Sequence, residues 1–190
     1  MSKFIVVTGA SKGIGRAAAD ALAASGWAVI GVARRQPDGF PGQFIPADLS
    51  DFGRTAEIAS QLTQRGDVLG IVNNVGAAKH ERFGSVDPST FFELLKLNVQ
   101  AALQLTQALV PAMRKAKFGR IVNITSLVTR GLPFRTSYAA AKSVLESLTR
   151  TTAIELSSDD TVGDGFYQQV RAEGVVTEVS GDEDSNAVSK

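Results

Sequence analysis

The stretch FIVVTGASKGIG, Phe4 to Gly15, joins an apolar run to a turn that holds three glycines and a lysine. The β-branched residues of the run favour extended backbone. Gly9, Gly13 and Gly15 permit positive φ angles and close approach of the main chain. The following residues are rich in alanine, lack proline and stop at Gly26, the pattern of a helix with a C-terminal glycine. A helix start reached through such a turn presents unpaired N–H groups and the positive end of the helix dipole, which together favour an anion. Glycine-rich turns from strand to helix also serve plain close packing, so the glycines alone leave both readings open.

Outward from this unit, apolar runs of strand length alternate with helical patterns. WAVIGVARR (27–35), QFIPADL (43–49), VLGIVNNVG (68–76) and RIVNITS (120–126) read as further strands. Residues 50–66 read as a helix with Ser50 as its cap and a glycine stop. Residues 87–119 read as one long helix that opens on aspartate and proline and is kinked by Pro111. Residues 136–156 read as a last helix. Strands that are apolar throughout are buried on both faces, as in a parallel sheet covered by helices. Strict β–α alternation then predicts a doubly wound, Rossmann-like α/β fold, with ligands beyond the carboxyl ends of the strands. The residues of interest fall there.

The spacing T-G-x-x-x-G-x-G resembles the cofactor loop of the short-chain dehydrogenase/reductase family. The resemblance runs in order from Lys3 to about Leu156. Asp48 in ADL matches the aspartate that this family places near the adenine ring, with Leu49 beside it. NNVG (73–76) resembles the usual N-N-A-G, with valine for alanine. Asn98 in LKLNVQ, Ser126 in IVNITS and YAAAK from Tyr138 to Lys142 match the family's helix asparagine, active-site serine and Y-x-x-x-K. The resemblance implies cofactor contacts from Gly9, Ser11, Lys12, Gly13, Ile14, Gly15, Asp48, Leu49, Asn74, Gly76, Tyr138 and Lys142. It implies catalytic roles for Asn98, Ser126, Tyr138 and Lys142, and a homodimer or homotetramer paired through the helices around Val99 and Leu145.

The end of the second strand carries Arg34 and Arg35 and no acid. An acidic residue there would accept from a ribose 2′-hydroxyl, whereas guanidinium groups pair with a 2′-phosphate. With Lys12 in the glycine loop, the expected cofactor is NADP(H). Tyr138 and Lys142 lie four apart, so a helix puts them on one face, where the lysine charge is expected to lower the tyrosine's pKa. In the family's scheme the phenol gives a proton to a carbonyl oxygen as hydride reaches carbon, Ser126 hydrogen-bonds that oxygen, and Asn98 holds a water that returns the proton. Arg130 and Arg135 hint at an anionic substrate.

The chain has 190 residues and a net charge of +1, which gives no reason to expect nucleic acid as a partner. It has no cysteine, so thiolate chemistry is excluded, and one histidine, His80, reads as a bystander in a polar loop with no metal site around it. No apolar run reaches the ~20 residues of a membrane span, and a cytoplasmic protein is expected. Residues 1–156 read as the cofactor-binding and catalytic domain. From Ser157 onward the family pattern stops: eight acidic residues face only Arg171 and Lys190, GVVTEVSG reads as one short strand, and the acidic tail reads as partly disordered, with DEDSNAVSK its solvated end. A truncated or frameshifted member that binds cofactor with impaired catalysis is the alternative to an active reductase. Sugar epimerases with a related tyrosine and lysine rank third, because their glycine loop is spaced differently.

Overall fold

The computed structural model of the protein describes residues 3–157; the acidic tail beyond Ser157, with its expected strand, lies outside them. Five strands form one parallel sheet in the order β3-β2-β1-β4-β5. They are β1 (Phe4–Thr8), β2 (Ala28–Ala33), β3 (Gly42–Pro46), β4 (Val68–Asn73) and β5 (Arg120–Asn123). The helices are α1 (Gly13–Ala24), α2 (Phe52–Arg65), α3 (Pro88–Leu95), α4 (Ala101–Ala116) and α5 (Thr136–Ser157). The chain turns outward from β1 in both directions, so the carboxyl ends of β1 and β4 flank the switch point expected to hold a ligand.

Alternate residues of β1 face opposite layers, as strand geometry requires. Val6 joins Ile30, Ile71, Leu105, Leu109 and Met113 in the larger core under α2 and α4. Ile5 and Val7 join Ala19 and Val29, with Leu22 and Trp27 packed against them, under α1. Burying each such Leu, Ile or Val contributes about 1.5–3 kcal/mol. Both faces of β1 are therefore covered, which is why its run lacks any polar alternation.

Three local expectations change. No helix links β2 to β3; Phe40 occupies that face, its ring edge-on to Phe44 at 5.0 Å and against Gly31, where a Cβ would strike it. The Arg16 guanidinium donates to the carbonyls of Asp38 and Gly39 and holds the short connection down. The cap of α2 is Asp51, not Ser50: its carboxylate accepts the Arg54 N–H at 3.0 Å, whereas the Ser50 N–H and hydroxyl both donate to Asp48. The one long helix is instead two, separated by a π turn over Lys96–Gln100 between α3 and α4, with Pro111 inside α4.

Candidate active site

The glycine loop is held between the ends of β1 and β4. Gly9 (φ 65°) follows β1, and a Cβ there would lie 2.8 Å from Asn74 Nδ2 and 3.3 Å from the Val75 backbone. A Cβ on Gly15 would strike the Gly9 carbonyl oxygen and Asn74 Nδ2. These two glycines are therefore needed for packing. Gly13 differs: it has φ 56° and nothing within 4 Å of an added Cβ, so its bare backbone faces open space. Lys12 is the N-cap of α1 and makes no side-chain cap hydrogen bond, and the first turn holds no acid. The unpaired N–H groups of that turn thus remain open to an outside anion. Close packing thus accounts for Gly9 and Gly15 and not for Gly13.

Asn74 braces this loop rather than reaching away from it. Its Nδ2 donates to the carbonyls of Thr8 and Gly9 at 3.0 and 3.3 Å. Thr8 returns the tie: its buried hydroxyl accepts the N–H groups of Asn74 and Val75 and donates to the Val72 carbonyl. Thr8 was legible only as part of the motif, not as the clip between β1 and β4. Arg34, Arg35 and Lys12 are exposed at the same end of the sheet, as are Ile14 and, in part, Ser11. Asp48 is exposed too, and its hydrogen bonds from Ser50, with Arg34 nearby, hold its carboxyl below the ordinary range. Leu49 is in the core, so only its main chain can face a ligand.

A second group gathers at the ends of β4 and β5. Gly76 sits between Asn98 and Lys142; a Cβ there would strike Asn98 Oδ1 and lie 3.4 Å from Lys142 Nζ. Asn98, 1% exposed, lies in the π turn and donates from Nδ2 to the carbonyls of Ala77 and Leu94 at 3.0 and 2.8 Å. Its Oδ1 is buried with no partner among the described residues, an acceptor suited to a small donor. Lys142 is 2% exposed and donates to the Ile124 carbonyl at 2.8 Å. Burial pushes its pKa down to about 8. Ser126 ends the strand segment after β5 with extended backbone and caps the 3-10 turn Leu127–Arg130.

Tyr138 stands in the first turn of α5, with Lys142 Nζ 5.6 Å from its ring centre. The expected lowering of its pKa is not seen. Burial raises the phenol above its ordinary value, opposed by a hydrogen bond with Ser126 and by the Arg135 charge. Lysine and tyrosine share a face as the spacing requires, but the lysine points its nitrogen toward a carbonyl.

Asn73 does structural work. Its Nδ2 donates to Thr106 Oγ1 and Asn123 Oδ1, and Asn123 in turn donates to Thr149, a polar chain from α4 through the sheet to α5. The His80 ring stacks on Phe134 at 4.7 Å between centroids. Among the described residues no group of three His, Cys, Asp or Glu side chains is placed to hold a metal, and no helix is long and apolar enough to cross a membrane.

A family model described as short chain dehydrogenase matches residues 3–162. The chain belongs to the short-chain dehydrogenase family. One curated relative within it is the 3-oxoacyl-(acyl-carrier-protein) reductase FabG of Pseudomonas aeruginosa. It is 34% identical over 169 residues, covering 82% of this chain and 68% of that protein. A solved short-chain dehydrogenase from Streptomyces avermitilis superposes with a TM-score of 0.75 at 34% identity, over 83% of this chain and 62% of its own. A structure from Beutenbergia cavernae, assigned as an NAD(P)-dependent gluconate 5-dehydrogenase and holding NADP at low occupancy, gives a TM-score of 0.76 at 32% identity, over 82% and 67%. This short-chain dehydrogenase thus spans about two thirds of the length of the relatives it matches.

Proposed function

We propose that the chain is an NADP(H)-dependent oxidoreductase that reduces a carbonyl to an alcohol, or runs the reverse reaction. The observation that carries this reading is the meeting of Asn98 and Lys142 at Gly76, with Tyr138 beside Lys142 and Ser126 beside Tyr138, at the same end of the strands as the bare start of α1. Gly13 and the uncapped N–H groups of α1 would take the pyrophosphate. Lys12, Arg34 and Arg35 would take a 2′-phosphate, and the NADP bound to the gluconate 5-dehydrogenase relative supports that choice. When bound, the reduced dinucleotide supplies hydride to the carbonyl carbon.

The chain's own residues handle the proton. Tyr138 gives its phenolic proton to the carbonyl oxygen, and Ser126 donates a hydrogen bond to the same oxygen. The Lys142 ammonium favours the phenolate left behind. Asn98 Oδ1 accepts from a water that returns the proton. Arg135, beside Tyr138, and Arg130 favour an anionic substrate, and the FabG relative extends this to a 3-oxoacyl group on a carrier protein.

The alternative is a chain that binds NADPH with little turnover. The raised Tyr138 pKa and the Lys142 bond to Ile124 favour it. Tyr138→Phe separates the two. On the first reading this variant loses about 10²–10⁴-fold in carbonyl-dependent NADPH oxidation while NADPH binding, followed by fluorescence titration, is kept. A parent protein that binds NADPH yet oxidises it with no ketone or 3-oxoacyl thioester establishes the alternative. Equal turnover in parent and variant sinks the role of Tyr138.

A further inference from the structure

The loop after β4 contains one buried side chain that the family motifs do not mark. Glu81 is 6% exposed, although Lys79, His80, Arg82 and Phe83 around it are all exposed. A carboxyl group at that depth is costly unless hydrogen bonds hold it. Its Oε2 accepts the backbone N–H of Ser137 at 3.2 Å. Its own backbone N–H donates to the Phe134 carbonyl at 3.0 Å, and the neighbouring His80 ring stacks on Phe134. Two hydrogen bonds running in opposite directions, with a ring contact beside them, fasten this loop to the start of α5.

The first N–H groups of a helix have no partner within it, and α5 carries no acid in its own first turn. Glu81 supplies the missing acceptor from a distant segment, at the residue directly before Tyr138. The same loop is held at its other end by Asn98, whose Nδ2 donates to the Ala77 carbonyl. Its course from Ala77 to Glu81 is thus pinned to the π turn at one end and to the tyrosine's helix at the other.

We propose that Glu81 is a positioning residue for the reaction assigned above: it locks the first turn of α5 onto the loop after β4 and so sets where the Tyr138 phenol stands relative to Ser126. The proposal rests on the reading of Tyr138 as the proton donor. Glu81→Ala removes the acceptor; Glu81→Gln keeps an oxygen of similar reach. The expected result is a kcat on the order of tenfold lower in Glu81→Ala, with KM and the NADPH dissociation constant unchanged, and recovery of most of that loss in Glu81→Gln. Amide hydrogen exchange at Ser137 and Tyr138 is expected to accelerate in Glu81→Ala and stay slow in Glu81→Gln. Parental kcat in Glu81→Ala overturns the proposal, as does a glutamine variant no better than the alanine one. A parent protein without turnover removes the proposed function instead. The exchange measurement, which needs no activity, then decides alone, and unchanged exchange in Glu81→Ala overturns the role of Glu81.

Discussion

Gly13 and Gly15 stand two residues apart and answer to different neighbours. Gly15 is packed against the Gly9 carbonyl and Asn74, atoms that cannot swing aside, so Gly15→Ala forces backbone apart. The expected cost is about 1–3 kcal/mol of folding stability, read from urea midpoints. Gly13→Ala meets no atom and suffers only its left-handed backbone, roughly 1–2 kcal/mol, but places a methyl group where the phosphates would lie. Gly13→Ala is therefore expected to weaken NADPH binding. A larger stability loss at Gly13 than at Gly15 would contradict the division of labour between them. Neither assignment could be made from the string of letters, in which all three glycines look alike; it took the position of Asn74, some sixty residues away in sequence, to separate them.

At the scale of elements, the cap of α2 offers a contrast between adjacent residues. Asp51 holds the Arg54 N–H, while Ser50 serves Asp48 in the preceding turn. Asp51→Ala is expected to lose about 1 kcal/mol, a fall of roughly 2–4 °C in melting temperature, and Ser50→Ala much less; thermal melts of both variants check this. Both residues are good caps by type, so composition could not rank them. The strands were legible because burial on both faces leaves runs such as FIVV and WAVIGVA without polar interruption. No helix was read between residues 35 and 43, and none is there: Phe40 and Arg16 fill its place with one ring and one guanidinium. Helical spacing alone put Tyr138 and Lys142 on one face; reading them as a site took the resemblance of the whole motif. Glu81 was not, because a glutamate among lysine, histidine and arginine reads as solvated until the Ser137 N–H is found against it.

For the whole molecule, the buried ammonium of Lys142 links the site to stability. Its pKa falls from 10.5 to about 8 in the folded chain. The unfolded state therefore binds more protons than the folded state between those values, and stability from this group rises with pH across that window. Below pH 8 the burial of the charge costs the fold its full amount. Lys142→Met removes the charge at similar volume. Relative to the parent, the variant should be most stable near pH 7 and lose that advantage as pH approaches 10.5, measured by urea unfolding at several pH values. A difference that stays flat with pH would mean the ammonium is not desolvated as its burial implies.

The wide turn at Lys96–Gln100 also fixes which way everything behind it faces. Each residue advances an α-helix by about 100°, so one residue more or fewer there is a change of azimuth, felt along the full length of α4. Leu105, Leu109 and Met113 all point inward with the turn as it stands. Excising one residue to regularise the ladder would swing that hydrophobic stripe toward water and carry the asparagine away from Gly76. The irregular turn thus acts as the clocking pin that lets one rod serve the chemistry at its front and the core at its back.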